Sequence, residues 1–162
     1  MQADRTAVRI IGIGNEFRSD DGVGVVVARR LKPRLPSGVI VQEESGEGTA
    51  LIEAWQGADT VVLVDAVQSG VAPGTIHRFE AHEQALPDQM FCCSSHSFGV
   101  VQAIEMAREL GRLPRRLIVH GIEGQHFEAG TELSSEIEGA AKLVEDHILQ
   151  DFAVKRSDHP LA

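Results

Sequence analysis

The stretch TVVLV (Thr60–Val64) is apolar at every position after its threonine. A strand without period-two alternation has no face to turn to water, so it needs a covering layer on both sides. That requirement puts it at the centre of a sheet with helices above and below. The flanking sequence supplies them. Val8–Ile11 (VRII), Val39–Val41 (VIV) and Leu117–Ile122 (LIVHGI) read as further strands. Between them, Val23, Val26, Val27 and Leu31 recur at helical spacing, as do Val100, Ala103, Ile104 and Ala107. Gly48–Trp55 reads as a short helix. A last helix starts near Ser134-Ser135 and carries Ile137, Ala141, Val144 and Ile148, with Ser135 and Glu138 at capping-box spacing. After Pro73-Gly74, TIHRFEAH alternates imperfectly, as an edge or antiparallel strand does. Alternating strands and helices give a layered α/β fold.

The chain has 162 residues, enough for one domain with a sizeable core. We expect a single domain over residues 1–162, ordered from about 7 to 152, with a flexible tail over 153–162. A formal net charge of −9 disfavours nucleic acid and anionic membrane as partners. Neither a long apolar N-terminal region nor a stretch of membrane-spanning length is present, which points to the cytoplasm. Cys92 and Cys93 are adjacent, fitting neither a disulfide framework nor a Cys-x-x-Cys motif and agreeing with a reducing compartment. The basic cluster GRLPRRL (Gly111–Leu117) is interrupted by proline and leucine and reads as a helix-to-strand connection. With no exposed apolar stripe in the pattern, a monomer is expected.

Residues Gly12–Gly24 read GIGNEFRSDDGVG, a glycine turn between a strand and a helix. Such turns commonly cradle phosphate, but Phe17 stands where the dinucleotide fingerprint needs its third glycine, and no Gly-Lys-Ser/Thr follows. Asp20 and Asp21 would compete with a phosphate for the positive end of the helix dipole. They either cap the helix, with Ser19 or Asp20 as the capping residue, or offer carboxylates to a cation. Asp65, directly after TVVLV, is a turn residue or faces the crevice at the carboxyl ends of the strands. Among the histidines, His77 and His82 read as solvent-exposed, His120 as a core residue, and His126 as ambiguous. His147 and His159 read as surface residues. His96, in SSHS at a helix start, is placed to face the crevice. Two carboxylates and a histidine suit a divalent transition metal with open positions. No covalent nucleophile is recognisable.

GIGNEFRSDDGVG, VVLVDAV and SSHSFG together resemble the three signature blocks of the hydrogenase maturation endopeptidases, over roughly residues 8–150. GEGTALIEAW and LIVHGIEG are also similar to family sequence. The resemblance implies a three-layer α/β/α sandwich with a twisted, mostly parallel central sheet. It implies a nickel-dependent, aspartyl-type endopeptidase that removes the C-terminal peptide from the large-subunit precursor of a [NiFe] hydrogenase. It implies a metal-binding and catalytic triad of Asp21, Asp65 and His96, with Asp20 as the neighbouring alternative to Asp21. The nickel would come with the substrate rather than reside in the enzyme. Where many relatives carry an aspartate after the second strand, this chain reads EESGEGTA, so Glu44 or Glu47 is the nearest substitute. Glu16 is left without an assigned role beyond lining the cleft. The competing readings are a Rossmann-like nucleotide-binding protein and a zinc-dependent small-molecule hydrolase.

Overall fold

The computed structural model describes residues 7–91 and 96–153. Its centre is a five-stranded sheet in the order β2-β1-β3-β5-β4. The strands are β1 (Val8–Ile13), β2 (Val39–Glu44), β3 (Thr60–Val67), β4 (Ile76–Glu80) and β5 (Arg116–Glu123). All neighbours pair in parallel except β4, which runs antiparallel to β5 at one edge. The imperfectly alternating TIHRFEAH segment is therefore an edge strand, as its pattern suggests.

Every residue of β3 is buried. Helices cover both its faces, as a strand with no polar side demands. On one face, Val61, Leu63 and Val67 pack with Leu51 of α2 (Gly48–Ala54) and with Val100, Ala103, Ile104 and Ala107 of α3 (Val100–Glu109). On the other, Val62, Val64 and Ala66 meet Val23, Val27 and Leu31 of α1 (Val23–Leu31). The same layer holds Ile137, Ala141, Val144 and Ile148 of α4 (Ser135–Ala153), all fully buried. The result is a three-layer α/β/α sandwich.

Several strands run beyond their apolar cores. β1 continues through Gly12 and Ile13, and β2 through Gln42, Glu43 and Glu44. β3 continues through Asp65, which therefore lies inside the strand rather than after it. Ladder pairing sustains these polar or glycine positions, which propensity alone would assign to loops. The capping box expected at Ser135 and Glu138 does not form: Glu138 pairs with Arg30 of α1 at 2.7 Å, and Ser134 is engaged by Asp20. The expected tail, the cysteine pair Cys92-Cys93, and His159 lie outside the described residues.

Two glycines set how closely α1 lies on the sheet. A Cβ on Gly24 would overlap the carbonyl oxygens of Val64 and Ile13, and one on Gly12 would overlap the Gly24 carbonyl oxygen. Helix and strand backbones touch here with no side chain between them. Gly24→Ala gains about 1 kcal/mol of helix propensity. It also drives a methyl into two immobile backbone oxygens, so overpacking wins. We expect a net loss of about 3 kcal/mol or more, read from the urea midpoint at unchanged slope.

A carboxylate cleft at the sheet switch point

Strand order reverses direction between β1 and β3: from β1 the chain reaches β2 on one side, and from β2 it crosses to β3 on the other. Ligands of open α/β sheets bind outside the carboxyl ends of the strands at this switch point. Here β1–β3 pairing stops at Gly12↔Val64. Beyond it the backbone turns away at Gly14, whose φ of +141° favours glycine. A cleft of about 950 Å³ opens there. Asp21, Asp65 and His96 all line it, together with Asn15, Glu16, Phe17, Arg18, Glu43 and Glu44. The three residues implied by the resemblance thus meet in one cavity. Among the described residues, no group of three histidine, cysteine, aspartate or glutamate side chains is gathered tightly enough to hold a metal ion.

The glycine turn delivers Asp21. A Cβ on Gly14 would overlap the Asp21 carbonyl oxygen, and the Asn15 N–H donates to Asp21 Oδ2 at 3.1 Å. Asn15 Oδ1 in turn accepts from the Phe17 N–H at 2.9 Å, stiffening the turn. Neither Ser19 nor Asp20 caps α1. A single 3-10 turn, Ser19–Gly22, comes first, and α1 begins at Val23 with Gly22 at its N-cap and no side-chain cap.

Asp20 has a different task. It is fully buried and does not line the cleft. Its Oδ2 accepts from the N–H groups of Gln125 (2.9 Å) and His126 (2.8 Å) and from the Ser134 hydroxyl (2.9 Å). Its Oδ1 accepts from the Ser134 N–H at 2.8 Å. Burial alone would push its pKa up; the donors of His126, Ser134 and Gln125 outweigh that and hold the carboxyl below its ordinary range. The choice between Asp20 and Asp21 is therefore made by satisfaction: Asp20's oxygens are consumed, whereas Asp21 faces the cavity.

Asp65 is the opposite case. Burial raises its pKa well above the ordinary value, and the negative charge of Asp21 raises it further, with only the Ala66 N–H opposing. Burial also raises Asp21, against the Asn15 N–H and the Arg18 charge. Two desolvated carboxylates side by side are an arrangement that a cation relieves. A phosphate would add to the repulsion, and this removes the nucleotide reading.

Of the two candidate glutamates, Glu47 caps α2, accepting from the Thr49 and Ala50 N–H groups at 2.9 Å each. Glu44 lines the cleft, its pKa raised by burial and by the charge of Glu47. Glu16 is engaged too: Arg29 of α1 bridges it at 2.5 Å to Glu43 at 2.9 Å across the cleft mouth. Sequence gave no signal for this clamp, because its members lie on three different elements. Neither His77 nor His82 is solvent-exposed as expected. His77 lies 3.4 Å from the buried Glu123, and His82 Nδ1 accepts from the Leu117 N–H at 3.0 Å. His120 is buried, as expected, with Nδ1 lacking a hydrogen bond; burial lowers its pKa to about 4. His126 and His147 are exposed.

The sequence profile of the hydrogenase maturation protease family, HycI, matches residues 25–151. The chain belongs to the hydrogenase maturation protease family. Among curated relatives, the hydrogenase expression/formation protein HoxM of Azotobacter vinelandii is 32% identical over 125 residues, 75% of this chain and 59% of that protein. The chain thus spans about three-fifths of the length of such relatives, the 59% just given. The hydrogenase 2 maturation protease of Escherichia coli is 24% identical over 147 residues, 88% of each chain. Among solved structures, the hydrogenase maturating endopeptidase HybD from Escherichia coli superposes with a TM-score of 0.76 over 93% of both chains at 21% identity. The HycI protease from Thermococcus kodakarensis gives 0.68 at 26% identity, covering 90% of this chain and 91% of that one. The α/β sandwich of this family member is thus the fold of solved hydrogenase maturation proteases.

Two substitutions separate the adjacent roles of Asp20 and Asp65. In Asp20→Asn, one face of the amide must turn an NH2 against backbone donors. We expect a loss on the order of 3 kcal/mol at neutral pH. Because the native Asp20 pKa is depressed, that loss is present above the unfolded value of about 4 and shrinks as pH falls below it. Asp65→Asn removes a buried, repelled charge and should stabilise metal-free protein. Native Asp65 holds its proton more tightly than the unfolded chain does, so wild type loses stability as pH rises from about 4 to the raised native value. The advantage of the asparagine should therefore be absent near pH 3, grow with pH and then level off. A gain of about 1 kcal/mol corresponds to roughly 2–4 °C in a chain of this size, measured by thermal unfolding with chelator across pH.

Proposed function

We propose that this protein is a nickel-dependent endopeptidase that removes the C-terminal peptide from the precursor of a [NiFe] hydrogenase large subunit. The observation that carries this reading is the meeting of Asp21, Asp65 and His96 in one cleft of a maturation-protease fold. The nickel is part of the substrate. It arrives on the precursor, and Asp21, Asp65 and His96 complete its coordination, so that only a nickel-loaded precursor docks with its scissile peptide in place. Imidazole and carboxylate donors suit nickel.

The chain's own residues then divide the remaining work. Asp21, oriented by the Asn15 N–H, and Asp65, on the buried central strand, present their carboxylates to the cation from well-held elements. A metal cation relieves the repulsion between their charged forms, which favours the loaded precursor over the empty one. Glu44, one of the two glutamates nearest to the family's additional aspartate, lines the cleft, and its pKa, raised by burial and by the charge of Glu47, suits it to accept the proton of an attacking water. Glu47, committed to capping α2, is not available for that role. Aspartyl-type chemistry in this sense uses carboxylates and water without a covalent intermediate.

The enzyme is proposed to act as a monomer in the cytoplasm, as one domain over residues 1–162. Among the described residues no helix is long and apolar enough to cross a membrane.

Incubation of the purified protein with precursor large subunit, with and without nickel, tests the reading by a mass shift at the precursor C-terminus. Cleavage should require nickel. Asp21→Ala, Asp65→Ala and His96→Ala should each slow it at least about 100-fold, as removal of a charge-stabilising group does. Glu44→Gln should slow cleavage by about 100-fold with precursor binding retained. Normal cleavage by the His96 variant would rule out the triad.

A further inference from the structure

Among the described residues, the outer edge of β2 carries unpaired backbone hydrogen-bonding groups at Val41 and Glu43 and ends in the cleft. Among the described residues, β2 is a terminal strand of the sheet and pairs only with β1. The register Val8↔Val39 to Ile13↔Glu44, with the Gly14 N–H donating to the Glu44 carbonyl at 3.0 Å, settles which residues face inward. In a parallel ladder inward and outward residues alternate. Ile40, Gln42 and Glu44 therefore point their N–H and C=O groups at β1, and Val39, Val41 and Glu43 point theirs away. The Val39 N–H is used, donating to the Pro36 carbonyl at 3.0 Å. Among the described residues, no hydrogen bond is made by the outward N–H or C=O of Val41 or Glu43.

We propose that this edge is the docking strand for the precursor: an extended segment of its C-terminal region pairs with Val41 and Glu43 and is led into the cleft. The inference rests on the peptidase reading above and adds where the peptide binds. Three observations select this edge and this occupant. First, Glu43, Glu44 and Ser45, at the end of the strand, themselves line the cleft with Asp21, Asp65 and His96. No residue of β4, the other edge strand, lines it. Second, outward donor–acceptor pairs on alternate residues repeat every two rises of about 3.3 Å, a spacing that an extended polypeptide matches and a small molecule does not. Third, the usual protections of a free edge are missing along Val39–Gln42: the run VIVQ holds no proline and no charge. Instead Ile40 is 47% exposed beside the edge, and Phe17 is 64% exposed at the cleft mouth, so apolar side chains flank both ends of the path.

Val41→Pro removes the outward donor and places a ring against the docking side, while no β1 ladder bond involves the Val41 N–H. Val41→Thr keeps the N–H and changes only the side chain. With nickel-loaded precursor, Val41→Pro should raise KM about tenfold or more, the loss of a backbone hydrogen bond plus a steric block, with kcat within about twofold. Val41→Thr should behave as wild type. Unchanged KM in the proline variant, or an equal rise in the threonine variant, overturns the proposal. Amide hydrogen exchange on the wild-type protein gives a readout independent of cleavage and of the proline variant's folding. Adding the nickel-loaded precursor should slow exchange at Val41 and Glu43, and unaltered exchange at both overturns the docking edge. If the wild type leaves the precursor uncut, the peptidase reading fails, and the exchange experiment still decides whether the edge binds it.

Discussion

Asp20 is the contact on which the site depends. A fully buried carboxylate is tolerated only when its oxygens are satisfied, and here Gln125, His126 and Ser134 do so. The same bonds tie the glycine turn to the segment leading into α4. Neighbouring backbone bonds extend the seam: Ser19 N–H to the Gly130 carbonyl, Gly130 N–H to the Phe17 carbonyl, and Asp20 N–H to the His126 carbonyl. Ser19 pays for this geometry with a φ of 54°, unusual for a residue other than glycine. With the turn held on that side, Asp21 has one place to point, which is into the cleft.

Neighbouring aspartates in sequence thus have opposite electrostatic fates. Asp20 is buried among donors and stays ionised at low cost. Asp65 and Asp21 are buried without enough donors, so their charged forms are disfavoured. A fold does not keep unrelieved carboxylates in its interior for stability, since well-packed apolar residues would serve better. Destabilised groups of this kind concentrate at functional sites, which agrees with the cation-binding role proposed for them. The Glu16–Arg29–Glu43 clamp is half-exposed and contributes little stability. What it does is tie the glycine turn to the end of β2, so the cleft mouth and the proposed docking strand keep a fixed relation.

The architecture was legible because it follows from local pattern. TVVLV has no polar face, so it had to be central, and helices with apolar residues at spacings of three and four had to lie on both sides. Asp21, Asp65 and His96, which line one cleft, were singled out by a different route. Their residue types suggested a metal, but nothing in their spacing joined them; the resemblance of three short blocks to a known family did.

Other features were decided only by tertiary structure. That Asp20 is a tie rather than a helix cap or a ligand depends on donors more than a hundred positions away, as with the Ser134 contact at |i−j| = 114. That Glu47 caps while Glu44 faces the cleft depends on where β2 stops and α2 begins, and strand ends are set by ladder pairing with β1 rather than by propensity. His77 and His82 looked exposed because an alternating strand turns one face to water, yet Glu123 and the Leu117 backbone, both on β5, partner them. By itself, the sequence determined which segments must be buried and which residue types gather at the strand ends, because periodicity and composition are local properties. Which carboxylate is satisfied, which is exposed to the cleft, and which edge is left open are properties of neighbours brought together by folding.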